Sequence, residues 1–267
     1  MSSETKTDTL ILSRESGWMT VRFNQPEIKN SLTREMTADL NAVMTSLESD
    51  RTVRGVTFRG EGHTFCAGGD LKAFREIFQG EASEDTIAGF SRDAGDFMRR
   101  LDSLPQVTLM LVEGACMAGG FGLACCGDVV LAHQDARFSL TETRIGLVPA
   151  QIIPYIVNRM GRRNARRFML TAASVDGAEA ARIGLADFVA PDTKALEELE
   201  QQVRAQVLRC APGAVADTKA LLRSSDRDTP EDYVLRAADA FATRMLGEEA
   251  REGITSFVER RKPAWSE

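Results

Sequence analysis

Two glycine pairs, Gly68–Gly69 and Gly119–Gly120, each follow an apolar stretch of strand-like composition and open a helical stretch. Glycine leaves the backbone N–H accessible to a ligand, and the N-terminus of a helix adds unpaired donors and a partial positive charge. Two such termini that converge at strand ends could hold one oxygen between two backbone N–H groups, as stabilisation of an enolate or tetrahedral oxyanion requires. Each pair alone equally fits a turn or close helix packing, whereas the two together favour function.

Glu142 is the third candidate for chemistry, and it lies in the stretch FSLTETRIGLVP. This polar interruption between apolar runs precedes a turn rich in glycine and proline. A carboxylate there could be partly desolvated and serve as a general acid or base. The alternative is a solvated glutamate or one that pairs with Arg144, and Glu142 taken in isolation favours that structural role.

The sequence contains no clear motif for a cofactor or a metal. The run GGFG only approaches a dinucleotide fingerprint, because Cys125 occupies the place of the third glycine. There is no P-loop and no GxSxG. The five cysteines include no CxxC pair, and only His63 and His133 could add imidazole ligands. We therefore expect no metal, no disulfide framework and no tightly bound cofactor, and we expect Cys125 and Cys126 to pack as small hydrophobic residues.

The elements that must position these residues alternate between strands and helices. The runs TLILSRE and WMTVRFN predict a hairpin that turns at Gly17. Apolar residues at helical spacing after Thr33 predict a helix that this threonine caps. The apolar runs VRGVTFRG, QVTLMLV and DVVLAH predict buried strands. This order is typical of an α/β fold with mostly parallel pairing.

The part of the chain after about residue 190 carries a helical signal alone. Thr229, Pro230 and Asp232 together form a helix start, with a cap, a proline at the first position and an acid in the first turn. We divide the chain into an α/β core, residues 1–195, and a helical region, residues 196–267. No low-complexity linker separates them, so the helices are expected to dock on the core or on a partner subunit.

The overall charge argues against a nucleic-acid partner. Lys and Arg number 33 against 39 Asp and Glu, for a net charge of −6 over 267 residues, whereas phosphate binding needs a basic surface. The basic cluster, which comprises Arg159 and the arginines of the run MGRRNARRF that follows it, up to Arg167, better fits an exposed helix face or a subunit contact. No signal peptide or membrane span is visible. We expect a soluble, cytoplasmic protein.

Three motifs, HTFCAGGDL, VEGACMAGGFGLACCGD and ARFSLTETRIGLVP, resemble the signature regions of the crotonase (enoyl-CoA hydratase/isomerase) superfamily, and the C-terminal EGITSFVERRKPAW is similar as well. The resemblance covers essentially the whole chain, in the family's order. It implies a spiral of ββα units with a helical C-terminal trimerisation region, assembled as a homotrimer or a dimer of trimers. It also implies an acyl-CoA thioester as substrate, so that CoA enters with the substrate.

The resemblance assigns roles by position. Gly69 and Gly119 would donate the two hydrogen bonds to the thioester oxygen, which agrees with the argument from helix termini, and Glu142 would be a catalytic carboxylate. Asp70 would also cap the following helix. The positions that would meet CoA are Lys29, Ala67, Gly68, Asp70, Leu71 and, from the C-terminus, Lys262.

One position departs from the family's pattern. Hydratases of this family carry a first catalytic glutamate where this chain has Gly122. The runs GFGLACCGD and TETRIGLVPAQIIPYIV look like the branch that hydrates 3-substituted glutaconyl-CoA esters, either isohexenylglutaconyl-CoA from acyclic terpene breakdown or methylglutaconyl-CoA from leucine breakdown. Arg144 is a candidate cation for the distal carboxylate of such a substrate. The alternatives are a Δ3,Δ2-enoyl-CoA isomerase with a single carboxylate and a non-catalytic acyl-CoA-binding protein.

Overall fold

The structure is a computed structural model that describes residues 3–80 and 82–266. Its strands are β1 Ser3–Lys6, β2 Leu10–Glu15, β3 Trp18–Phe23, β4 Gly55–Gly60, β5 Val107–Val112, β6 Ala115–Met117, β7 Val129–His133, β8 Arg137–Ser139, β9 Ser174–Val175 and β10 Phe188–Ala190. Its α-helices are α1 Arg34–Ser49, α2 Leu71–Gln79, α3 Glu84–Asp102, α4 Gly119–Cys125, α5 Ile153–Thr171, α6 Gly177–Arg182, α7 Thr193–Val207, α8 Pro212–Ser225, α9 Pro230–Met245 and α10 Glu248–Val258. The predicted alternation of strands and helices is confirmed.

The larger sheet has seven strands in the order β1-β2-β3-β4-β5-β7-β10. Strands β1 to β3 pair antiparallel, and each pair from β3–β4 onward is parallel. The predicted hairpin turns at Ser16 and Gly17, whose φ values of 47° and 75° match the two left-handed positions of a tight hairpin turn. β5 lies inside the sheet with all but Val107 buried, which explains its almost wholly apolar sequence.

Helices cover both faces of this sheet. On one face α1 and α3 bury residues such as Leu40, Met44 and Leu101 in the main core. On the other face Leu196 and Val203 of α7 pack with Trp18 of β3 in a second cluster. The division that we predict between residues 195 and 196 falls inside α7, and it stays a prediction.

The helices after α7 add a buried polar contact and an exposed apolar surface. Lys219 of α8 is buried, and its Nζ lies 2.5 Å from Asp128 Oδ2 and 2.7 Å from the Gln106 carbonyl oxygen at the sheet. In contrast, α9, α10 and the link between them expose large apolar side chains, among them Phe241, Phe257 and Val258 on the helices and Leu246 in the link. Within residues 3–80 and 82–266, no helix combines the length and apolar character that crossing a membrane requires; the cytoplasmic location stays a prediction.

The basic cluster lies on α5, which kinks at Gly161, where φ is 75° and ψ is 154°. Arg162, Arg163 and Arg166 are exposed, while Arg159 pairs with Asp187 at 2.9 Å. These three arginines thus lie on an exposed helix face of the protomer, and the subunit contact that was the other alternative stays a prediction.

Candidate functional site

Three chain segments run side by side and bring the three motifs together. Cys66 forms a parallel bridge with Cys116 of β6, and β6 pairs parallel with β8. Ala118 N–H then donates to the Ser139 carbonyl at 2.9 Å. Because parallel segments end at the same edge, the glycine loops and the turn that carries Glu142 leave the sheet side by side. Between β5 and α4 lies the short strand β6, which the sequence did not predict.

Gly69 and Gly119 meet at this edge. A Cβ built on Gly119 would lie 3.6 Å from Gly69 N, and one on Gly68 would lie 3.3 Å from Gly119 N. Gly119 is the first residue of α4, so its N–H has no acceptor within the helix. Within the described residues, the N–H groups of Gly69 and Gly119 donate to no backbone carbonyl of a turn, loop or helix cap. Two free backbone donors on adjoining loops could bind one thioester oxygen together.

The backbone around this pair is conformationally unusual. Gly68 has a φ of 101°, and a Cβ on it would lie 2.8 Å from the Cβ of Ala118. Ala118 itself has a φ of 48° and a ψ of −120°, a region that residues with side chains rarely occupy. Such a conformation persists only where the surrounding structure holds the backbone in place. No signal in the sequence points to Ala118, because its strain arises from the tertiary fit of the two loops.

Glu142 begins a 3₁₀ turn, Glu142–Ile145, three residues after the end of β8. Its side chain is half-buried, and burial raises the pKa of the carboxyl, partly offset by the backbone N–H groups of Glu142 and Thr141. Its Oε2 is buried and finds no hydrogen-bond partner within the described part of the chain. A buried carboxylate oxygen without a partner is an unsatisfied hydrogen-bond acceptor, as expected for a group that exchanges a proton with a substrate or a water. Glu142 does not pair with Arg144, because the Arg144 guanidinium donates to the Ala172 carbonyl at 2.7 Å.

Gly122 lies one turn inside α4 and faces Ile152, in the turn before α5. A Cβ at position 122 would overlap Ile152 Cγ2 and would lie 2.6 Å from Ile152 Cβ. The place where the family carries its first glutamate is therefore filled from another part of the chain. The sequence signals the glycine but not the residue opposite it, which lies thirty positions away.

The loop from Lys29 to Leu32 borders the glycine pair. The Lys29 carbonyl accepts from Ala67 N–H at 3.0 Å, and Leu32 N–H donates to the Gly68 carbonyl at 2.8 Å. The structure thus gathers Lys29, Ala67 and Gly68 around Gly69.

Two further CoA-binding candidates stand at the start of α2. Asp70 caps this helix by accepting from Lys72 N–H at 2.9 Å, as predicted. Leu71 follows with 60% of its surface exposed. Asp70 directly follows Gly69 and Leu71 is the next residue, so both lie beside the glycine pair, and their contact with CoA stays a prediction.

Lys262 lies elsewhere in the protomer. It follows α10, and the segment just after it docks where β4 begins, with Trp265 accepting from Arg54 at 3.1 Å. The glycine loop instead follows the end of β4. One chain therefore does not bring Lys262 beside the glycine pair, and its contact with CoA stays a prediction.

Four buried cysteines lie around and beneath the glycine loops. Cys66 Sγ accepts from Gly68 N–H at 3.4 Å, and Cys116 Sγ lies 3.4 Å from the Gly120 carbonyl oxygen. Burial raises the pKa of Cys66 to about 12 and that of Cys125 to about 12. Cys126 is likewise buried, so the packing role predicted for Cys125 and Cys126 is confirmed.

Comparison with known proteins places the chain in one family. The profile of the family described as enoyl-CoA hydratase/isomerase matches residues 13–267. AtuE of Pseudomonas aeruginosa superposes with a TM-score of 0.94 and 40% identity, covering 97% of this chain and 100% of the other. An enoyl-CoA hydratase/isomerase from Marinobacter aquaeolei gives a TM-score of 0.93 and 34% identity, covering 98% and 100%.

A curated relative from Thermus thermophilus, whose name assigns it to the enoyl-CoA hydratases, is 35% identical over 253 residues and covers 93% of this chain and 98% of its own. An Escherichia coli relative named as 1,2-epoxyphenylacetyl-CoA isomerase is 28% identical over 255 residues, covering 94% and 96%. The α/β fold with a helical C-terminal region that the sequence predicted is the fold of the matched structures.

Proposed function

The chain belongs to the enoyl-CoA hydratase/isomerase family, and on that premise we propose that it adds water to the double bond of a branched 2-enoyl-CoA. The observation that carries this proposal is the buried, unpartnered Oε2 of Glu142, at the strand edge where the free N–H groups of Gly69 and Gly119 meet. A proton-transfer group beside an oxyanion site is the pairing that addition to a conjugated thioester needs.

A single carboxylate can complete the reaction if it handles one proton twice. The Glu142 carboxylate takes a proton from water as the water oxygen bonds to C3, and electrons move through the double bond to the thioester oxygen. Gly69 and Gly119 hold the resulting enolate oxygen. The Glu142 carboxylic acid then returns the proton to C2, which regenerates the carboxylate and leaves a 3-hydroxyacyl-CoA. Its raised pKa suits this double role, because it brings the acid and base forms closer in free energy near neutral pH.

For the acyl group we propose a 3-substituted glutaconyl-CoA ester, with isohexenylglutaconyl-CoA favoured over methylglutaconyl-CoA. The ring of Phe74 lies 3.0 Å from the position of a Cβ on Gly69, and Phe90 packs edge-on against it at 5.6 Å between centroids. Phe90 is 41% exposed, so an apolar surface extends outward from the oxyanion pair. A long isohexenyl branch would cover more of this surface than a methyl group.

The test is Glu142→Gln with a panel of 2-enoyl-CoA esters that includes both glutaconyl types. Loss of the conjugated thioester absorbance measures hydration. We expect the rate to fall by roughly 10²- to 10⁴-fold, the usual contribution of a general acid–base group. Glu35→Gln, at an exposed position in the first turn of α1, is the matched control and should keep the parent rate. Parent-like hydration by Glu142→Gln would refute the assignment.

A second candidate, a Δ3,Δ2-enoyl-CoA isomerase, is favoured by Gly122. Moving a proton between C4 and C2 needs only one carboxylate, and Ile152 leaves no room for a second one at position 122. Separate assays with 3-enoyl and 2-enoyl esters distinguish the two activities. Conversion of the 3-enoyl ester to the conjugated ester without water addition would establish the isomerase instead.

We also propose that the protein forms a homotrimer or a dimer of trimers through α9 and α10. Leu246 and Phe257 are 82% and 85% exposed, and apolar surface of this kind usually marks an interface. An assembly would also give Lys262 a route to the CoA of a neighbouring subunit. Leu246→Glu combined with Phe257→Glu should lower the molar mass measured by light scattering. An unchanged multimeric mass would contradict this interface.

A further inference from the structure

The turn Ala150–Ile152 is wedged between two helices, and each of its last two side chains meets a glycine. Gln151 lies against Gly95 of α3, where a Cβ would come within 2.9 Å of Gln151 Cδ. Its amide also donates to Ser91 Oγ at 3.0 Å. Ile152 lies against Gly122 of α4 in the same manner. Two close fits on consecutive residues fix the turn, so Ile152 has little freedom to move aside.

The volume that Ile152 fills lies against the first turn of α4, the helix that Gly119 begins. Positions 119 and 122 lie three residues apart on α4 and share one face of the helix. A helical Cβ points back toward the N-terminus, so a side chain at position 122 would reach toward Gly119. Ile152 occupies that space and is only 5% exposed.

The other acidic side chains that flank the glycine loops are already engaged. Glu113, at the end of β5, accepts from Arg59 at 3.0 Å and from Thr193 at 2.8 Å. Asp70 caps α2. Among these flanking acids and Glu142, Glu142 alone has a buried oxygen without a partner in the described residues.

We propose that Ile152 and Gly122 form a steric pair that excludes a carboxylate at position 122 and so leaves the proton transfer to Glu142. Ile152 thereby determines which acid–base chemistry the scaffold performs, although it exchanges no proton itself. The catalytic part of this inference rests on the proposed function, whereas the steric part does not. A glutamate introduced at position 122 is productive only when Ile152 is removed.

The steric part is tested by thermal unfolding of Gly122→Ala, Ile152→Gly and the double variant. A methyl group at position 122 overlaps Ile152, and such overpacking should lower Tm by about 5 °C. Ile152→Gly alone also lowers Tm, because buried apolar contacts are lost. If the pair is coupled, the double variant falls by clearly less than the sum of the single changes. Additive losses overturn the proposal.

The catalytic part is tested in the Glu142→Gln background, with disappearance of 2-enoyl-CoA as the assay. Adding Gly122→Glu alone should restore nothing, because Ile152 blocks the side chain. The triple variant Glu142→Gln, Gly122→Glu and Ile152→Gly should have a kcat at least roughly tenfold above that of the double variant Glu142→Gln and Ile152→Gly. A tenfold gain is a fraction of the usual contribution of a general acid–base group.

A second readout separates this chemistry from mere repacking. With Glu142 present, the pair Gly122→Glu and Ile152→Gly should add a second ionisation to the pH profile of kcat, whereas Ile152→Gly alone should not. Equal rates with and without the new glutamate, and a single ionisation in both, overturn the catalytic proposal. If the parent protein hydrates no 2-enoyl-CoA, the proposed function fails while the unfolding cycle still decides the steric pair.

Discussion

Replacing Gly68 by alanine tests whether the close approach of the two glycine loops sets the oxyanion geometry. The new Cβ would lie 2.8 Å from Ala118 Cβ and 3.0 Å from the Met117 carbonyl oxygen. Ordinary contacts between carbon atoms lie at about 3.5–4.0 Å. One loop must therefore shift by roughly 1 Å, which is enough to misalign Gly69 and Gly119 as a pair of donors.

The cost has a catalytic and a conformational component. Loss of one oxyanion donor lowers kcat by about 10²- to 10³-fold. An alanine at a φ of 101° adds strain of about 1–2 kcal/mol, and the contact adds about 1–3 kcal/mol. We therefore expect a folded but less stable protein whose kcat/KM for the enoyl-CoA ester falls about 10²- to 10³-fold.

Gly161→Ala is the matched control for backbone strain. Gly161 has a φ of 75°, yet nothing lies within 4 Å of a Cβ built on it, so this variant carries the strain without the contact. Its kcat/KM should stay near that of the parent, with a Tm a few degrees lower. Parent-like kcat/KM in Gly68→Ala, or an equal loss in Gly161→Ala, would refute the reasoning about the loop approach.

Two further expectations concern stability. Burial raises the pKa of Glu142, so its contribution to stability is present below the unfolded value, about 4.3, and is lost as pH rises through the folded value. Glu142→Gln should therefore have a higher Tm than the parent at neutral pH, and this difference in Tm should disappear in acid. A difference in Tm that does not change with pH would contradict this reasoning. At the buried contact of α8, Asp128→Asn leaves Lys219 charged without its partner and should cost about 3–5 kcal/mol in urea unfolding. Adding Lys219→Met should recover part of that loss, and no recovery would count against the contact.

The local parts of the fold are the parts that the sequence predicts well. Thr33 and Thr229 cap α1 and α9 as expected, because a side-chain oxygen two or three residues from an orphan N–H acts within one turn. The apolar run of β5 identifies a buried strand for the same reason, since the signal lies within the strand itself. Short strands carry too few residues for such a signal, and β6, with three residues, was not predicted.

The candidate site divides in the same way. Gly69, Gly119 and Glu142 are found from the sequence because each follows a strand and because the three motifs resemble a family. The sequence does not reveal the close packing of Ile152 against Gly122 or the strain at Ala118, because both arise where distant segments of the chain pack together. Arg144 shows the limit of reasoning from neighbours in the chain, since its partner is the carbonyl of Ala172 rather than a nearby carboxylate.

The uneven burial of the cysteines makes the protein chemically addressable at one position. Cys66, Cys116, Cys125 and Cys126 are buried and their pKa values are raised, whereas Cys210, between α7 and α8, is exposed. Alkylating reagents attack thiolates that they can reach, so a maleimide dye should attach at Cys210 while the native fold persists. A fluorophore at that junction would report on the helical region in solution without any cysteine being replaced.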